Sequence, residues 1–191
     1  MSTDLTFFTN EPGAALVDRF KSILRAVQFF DVLVGYFRTS GFYQLADSLA
    51  SVDKIRILVG LNVDQKTFEL IDTVRSQTNL DFNSHKDTRN AAMEAVVTEI
   101  DASRDEFKTE YGINKFIEYL TTDCVNPEED KTHGGNGKKL EFRAYPSGNI
   151  HAKIYISRYR KEQVSYGSVI TGSSNFSHSG LIANREFNVE L

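Results

Sequence analysis

Three short stretches in the C-terminal third carry residue types that could handle phosphate. The first is "NIHAKIYIS", residues 149–157, where His151 and Lys153 sit two apart in a run of apolar β-formers. A charge in a buried strand is costly unless it is paired or used. Period-two alternation puts His151, Lys153 and Tyr155 on one face. Ala152, Ile154 and Ile156 share the other, the apolar face expected to anchor the strand in a sheet. The second stretch, "TGSSNFS", brings Gly172, Ser173 and Asn175 to a strand end, and the third, "NREFN", contributes Asn184 and Glu186. A neutral, oriented histidine can attack phosphorus and form a covalent intermediate. A carboxylate on its far ring nitrogen fixes the tautomer and stabilises the developing imidazolium. Lysine, an asparagine amide and a serine hydroxyl can hold non-bridging phosphate oxygens through the transition state. A glycine at the strand end lets the backbone approach the phosphate closely. If these donors suffice, the chemistry asks for no metal and no cofactor.

Plainer readings exist for each residue. Taken alone, His151 and Lys153 are a core histidine beside a lysine that reaches out to water, and Ser173 and Asn175 shape a turn. The ordered combination favours catalysis. His178 reads as a turn residue, and His85 and His133 sit in polar loops without metal-ligand spacing. Cys124 is the single cysteine, so an intramolecular disulfide is excluded.

The elements that must position these residues are legible upstream. Asn10 or a neighbour can cap a helix with Pro12 in its first turn, followed by Leu16, Phe20, Ile23, Leu24 and Val27 at helical spacing. "FFDVLVGYF" reads as a buried strand, with Tyr36 and Phe37 as candidate cleft residues; Ser40 then caps a second helix, and "KIRILVGL" is another strand. A helix around "TFELIDTV" follows, then a charged helical stretch from about Thr88 to Leu120, broken at Gly112. Residues 121–139, rich in Pro, Gly and charge, read as a mobile loop. "LEFRAYP", "NIHAKIYIS", "SYGSVITGSS" and "EFNVEL" are strand-like. The alternation predicts an α/β fold: a mixed, largely parallel sheet with helices on both faces.

A chain of 191 residues suits one domain spanning 1–191, and "EFNVEL" at its end is read as the start of more chain in a longer protein. The composition, 40% hydrophobic and 25% charged, is that of a globular domain. A net charge of −4 excludes a chain-wide basic coat for DNA but not a local basic cleft. No secretory signal and no membrane-spanning run is read, which with the lone cysteine points to the cytoplasm.

The order "HAK…GSSN…NRE" resembles the active-site signature of the phospholipase D superfamily, the HKD motif. "VGYFRTSGFYQLADSL" and "KIRILVGL" resemble the phospholipase D-like domain at the N-terminus of some bacterial SNF2-type helicases and restriction enzymes. The resemblance implies a phospholipase D-like fold and a metal-independent nuclease acting on DNA through a phosphohistidine. In it His151 is the nucleophile or, in the partner subunit, the general acid for the leaving oxygen; Lys153, Ser173 and Asn175 bind the phosphate with Gly172 beside them, and Glu186 orients His151. The superfamily uses two such motifs per site and this chain has one, which implies a homodimer completing the site, with helicase domains in the same full-length chain. Where the motif has an aspartate, five residues after the lysine, this chain has Arg158. Arg158, Arg160 and Lys161 form a basic hairpin that either meets a nucleic-acid backbone or is an ordinary solvated surface. A non-catalytic module for helicase dimerisation or nucleic-acid binding is the alternative. A lipid phosphodiesterase is disfavoured, because no amphipathic basic helix or membrane segment is present.

Overall fold

Large apolar side chains alternate along the strand Val27–Phe37 and decide which of its faces is covered. Phe30, Val32 and Val34 are fully buried on one face, while Asp31 and Leu33 on the other are partly exposed. These features come from a computed structural model, which describes residues 6–63, 106–144 and 150–191. The strands are β1 (Thr6–Phe8), β2 (Val27–Phe37), β3 (Lys54–Val63), β4 (Leu140–Ala144), β5 (Lys153–Tyr159), β6 (Gly167–Gly172) and β7 (Asn188–Glu190). They form one sheet in the order β1-β7-β6-β5-β2-β3-β4.

The fold is α/β with a mixed sheet, as the alternation predicts. Its balance differs from the expectation of a largely parallel sheet. Only β2–β3 and β3–β4 run parallel, while β2–β5, β5–β6, β6–β7 and β1–β7 are antiparallel. A helical crossover brings the chain back to start a parallel strand, whereas the hairpin through residues 160–166 reverses it between β5 and β6.

Helices α1 (Leu16–Ile23), α2 (Thr39–Leu49) and α3 (Glu106–Thr121) cover the Phe30 face. Phe20 of α1 packs edge-on to Phe30 at 5.6 Å and to Tyr155 at 5.0 Å, and Phe37 stacks on Phe176 at 5.4 Å. Each such fully buried ring contributes about 1.5–3 kcal/mol of transfer free energy. The short helix α4 (Pro127–Thr132) lies on the opposite face, where Asp130 borders a cavity of about 400 Å³ floored by Leu33, Leu58, Ile154 and Ile156. None of the described helices is long and apolar enough to cross a membrane.

Several local expectations are corrected. α1 starts at Leu16, so Pro12 precedes it; Asn10 still serves its start, accepting from the Leu16 N–H at 3.0 Å. α3 runs unbroken through Gly112, because that glycine answers to packing: a Cβ there would overlap the Tyr43 ring of α2. Residues 121–139 hold α4, with Pro127 in its first turn and three acidic residues at its N-terminal end. This segment is pinned by Lys54, only 2% exposed, whose ammonium donates to Asp130 at 2.6 Å and to Asn136 at 2.9 Å and pairs with Glu141 at 3.1 Å. The helix around "TFELIDTV" and the start of the charged helical stretch lie outside the described residues.

Candidate active site

Strand direction assembles the site. The C-terminal ends of β2, β3 and β6 and the N-terminal ends of β5 and β7 all lie along one end of the sheet. His151 lies two residues before β5 rather than within it, and its side chain is exposed. The backbone that carries it crosses the end of β2: the Gly35 N–H donates to the Ala152 carbonyl at 2.9 Å. A Cβ on Gly35 would overlap the Ile150 carbonyl oxygen and come within 3.3 Å of the His151 Cα. Gly60 on β3 is the second glycine under this crossing, with a Cβ there reaching 3.3 Å from the Ile150 oxygen. Lys153 opens β5 and donates its ammonium to the His151 carbonyl at 2.9 Å.

Alternation within β5 holds from Lys153 onward, but the anchoring face is the reverse of that expected. Tyr155 and Ser157 are buried against the helices, and Ile156 is 39% exposed on the opposite face. The Tyr155 ring fits among Phe20, Phe30 and Phe176, and its hydroxyl donates to the Ser174 carbonyl at 2.9 Å. Burial, reinforced by the Glu186 charge, pushes this phenol far above its usual range, so it remains a neutral donor.

After β6 the chain turns through Ser173, Ser174 and Asn175. The Ser173 hydroxyl donates to Glu186 at 2.5 Å and accepts from the Phe187 N–H at 3.0 Å. Gly172 permits this, since a Cβ there would collide with Phe187 and Asn188 of the adjacent chain. Its smallness is required by the neighbouring strand. Asn188, fully buried, holds Ser174 by donating to its hydroxyl at 2.8 Å and accepting from its N–H at 3.3 Å. Asn175 presents an amide oxygen that is buried and without a hydrogen-bond partner. The Asn114 amide oxygen on α3 is in the same condition, so the feature is not peculiar to this turn.

Glu186 is reached through a short π-helical turn, Ser179–Ala183. Asn10, held at a φ of 58°, ties this turn down by donating to the Gly180 carbonyl at 2.8 Å and the Asn184 carbonyl at 3.0 Å. The Glu186 carboxylate accepts from Ser173 and from the Asn184 amide at 3.4 Å. No hydrogen bond joins it to His151. The structure thus gathers His151, Lys153, Gly172, Ser173, Asn175 and Glu186 at one end of the sheet, but it gives the carboxylate to the serine and, among the described residues, gives the imidazole no hydrogen-bond partner.

Other candidates separate cleanly. Phe37, a possible cleft residue by sequence, is fully buried, whereas Tyr36 is partly exposed with the Arg38 guanidinium 4.8 Å from its ring centre. Ser40 does not cap α2; Arg38 holds that position, and the Ser40 hydroxyl accepts from the His178 N–H at 3.2 Å. The basic hairpin lies at the far end of β5, about 20 Å from His151 at the usual strand rise. There Arg158 covers Phe29 at 4.1 Å and Arg160 pairs with Asp53 at 2.7 Å. Among the described residues no group of three His, Cys, Asp or Glu side chains could hold a metal ion.

Sequence reasoning missed Gly35, Gly60, Ser174 and Asn188. The only available signal for the two glycines was their place at the ends of apolar strand runs.

No protein-family model and no curated protein matches the chain. Among solved structures it is similar to yeast tyrosyl-DNA phosphodiesterase, at 12% identity and a TM-score of 0.46, covering 97% of this chain and 32% of that one. A mutant of the same yeast enzyme gives 9% identity and a TM-score of 0.47, with 97% and 31% covered. NucT from Helicobacter pylori gives 11% identity and a TM-score of 0.42, with 98% and 84% covered. The chain therefore spans about a third of the length of the yeast enzyme it matches.

Proposed function

We propose that the chain is a phospholipase D-like phosphodiesterase, a metal-independent nuclease that cleaves DNA through a phosphohistidine. One observation carries the reading. An exposed histidine, a lysine and the Ser173–Asn175 turn come to the same end of the sheet, with the His151 imidazole making no hydrogen bond among the described residues and the Lys153 ammonium donating only to the His151 carbonyl.

In this reaction a neutral His151 nitrogen attacks phosphorus and the bond to the leaving oxygen breaks. Lys153, Asn175 and Ser173 hold the charged non-bridging oxygens. Water then attacks the phosphohistidine, the N–P bond breaks, and phosphate leaves on the other product. Glu186 acts through Ser173 in the arrangement described. The leaving oxygen needs a proton, and the chain supplies one such histidine. A homodimer pairing two His151 side chains around one phosphate would meet that need. The module would serve a larger helicase or restriction protein in the cytoplasm, as the sequence resemblance suggests.

Plasmid cleavage in EDTA tests this. Cleavage by the wild-type chain, abolished by His151→Ala, is expected; an inert, well-folded wild type refutes it. A non-catalytic nucleic-acid-binding or dimerisation module is the second reading. It is favoured by the missing Glu186–His151 hydrogen bond and by Arg158 at the motif's aspartate position. DNA binding that survives without any cleavage would select it.

A further inference from the structure

Building on the nucleic-acid reading, we infer that Arg38, held on Tyr36, binds a second phosphate of the substrate strand beside the one handled at His151. Four of the described arginines are committed to carboxylates: Arg19 to Glu190, Arg56 to Asp31, Arg143 to Glu141 and Arg160 to Asp53. Arg25, Arg158 and Arg185 share with Arg38 the lack of an ion pair among the described residues, and Arg38 is set apart by a backbone N–H that donates to the Phe176 carbonyl beside Asn175. It is exposed, and its guanidinium lies over the Tyr36 ring at 4.8 Å.

Its backbone is fixed at both sides of the candidate site. Gly35, one residue before Tyr36, contacts the backbone of Ile150 and His151. The Arg38 N–H donates to the Phe176 carbonyl at 3.0 Å, next to Asn175, and Phe37 forms an isolated bridge with Phe176. The segment 35–38 therefore runs from the histidine's backbone to the asparagine's. Lys153 pairs with Val34, four residues before Arg38, so at the usual strand rise and spacing the two backbones lie roughly 14 Å apart, a gap that two long side chains and a strand with successive phosphates can bridge. An aromatic face restrains a guanidinium without neutralising it, and the guanidinium's fork of donors matches a phosphate. A substrate with successive phosphates, a nucleic-acid strand, would use this contact; an isolated phosphodiester would not.

The test is fluorescence anisotropy of a labelled single-stranded oligonucleotide titrated across salt concentrations, with cleavage in EDTA measured in parallel. Arg38→Ala is expected to weaken binding about tenfold, the loss of one charge-assisted hydrogen-bonded contact. The slope of log K against log salt should become shallower by about 0.7, one phosphate contact to a single strand. Arg38→Lys should restore the slope while recovering only part of the affinity. An unchanged slope in Arg38→Ala, or a wild type that does not bind the oligonucleotide, overturns the inference. A lost slope in a protein that cleaves nothing upholds the phosphate contact and overturns the nuclease, whereas His151-dependent cleavage with an unchanged slope does the reverse.

Discussion

Gly35→Ala isolates the geometric premise of the candidate site. Position 35 lies under the chain crossing that carries His151, and an added Cβ would fall well inside the 3.0 Å limit from the Ile150 carbonyl oxygen. Both partners are backbone, so no flexible side chain can give way. Clearing the overlap moves the 150–151 peptide by about 1 Å, and a displacement of that size at a reacting group costs on the order of 10²-fold in rate. Overpacking of this kind also destabilises by about 1–3 kcal/mol. Gly60→Ala provides the graded comparison: its nearest atom, the Gly35 oxygen, is 3.0 Å away, so a few tenths of an ångström suffice and the loss should be much smaller. The assay is the initial rate on bis(p-nitrophenyl) phosphate in EDTA, with urea denaturation of the same samples. If Gly35→Ala matches wild type in both rate and stability, or if Gly60→Ala is the more damaging, the crossing does not hold His151 as described. The urea arm decides the packing claim independently of any hydrolysis.

Tyr155→Phe keeps the buried ring and removes the donor to the Ser174 carbonyl, and should lose about 1–3 kcal/mol in denaturant melts through the unsatisfied acceptor. Lys54→Met leaves Asp130 and Glu141 without their buried cation and should lose about 3–5 kcal/mol by the same measurement. Burial pushes the Asp130 carboxyl up, but the Lys54 ammonium, the Gly137 N–H and Arg56 outweigh it and hold it below the usual value of 3.8. A depressed folded value gives stability that is full above 3.8 and lost as the pH falls through the folded value. Asp130→Asn should therefore flatten the acid limb of a stability–pH curve. Gly112→Ala gains about 1 kcal/mol of helix propensity, yet should melt lower than wild type, because the new methyl meets the Tyr43 ring.

Much of the site was legible because its signal is local. "HAK", "GSSN" and "NRE" each place a functional group within a few residues of a strand end, and strand ends can be read from runs such as "KIYIS" and "SVITG". The alternation of Lys153 and Tyr155 also survives in β5. It did not reveal which face would be covered, because Ile154 and Ile156 look like the core-facing pair. Burial is decided by where the helices pack, and here they pack on Tyr155.

The sequence by itself determined which residue types that could handle phosphate are present, the α/β alternation and the order of the three motifs. These follow from composition and from periods of two and 3.6 residues, which act within single elements. Only tertiary structure decided that Glu186 bonds Ser173 and not His151, that Gly35 and Gly60 form the track under the His151 backbone, and that Arg38 lies over Tyr36 with no ion pair among the described residues. Each depends on contacts between segments far apart in the chain. Glycines at 35 and 60 signal only smallness until residue 150 arrives, and a carboxylate's partner is whichever donor the folded backbone brings within hydrogen-bond reach.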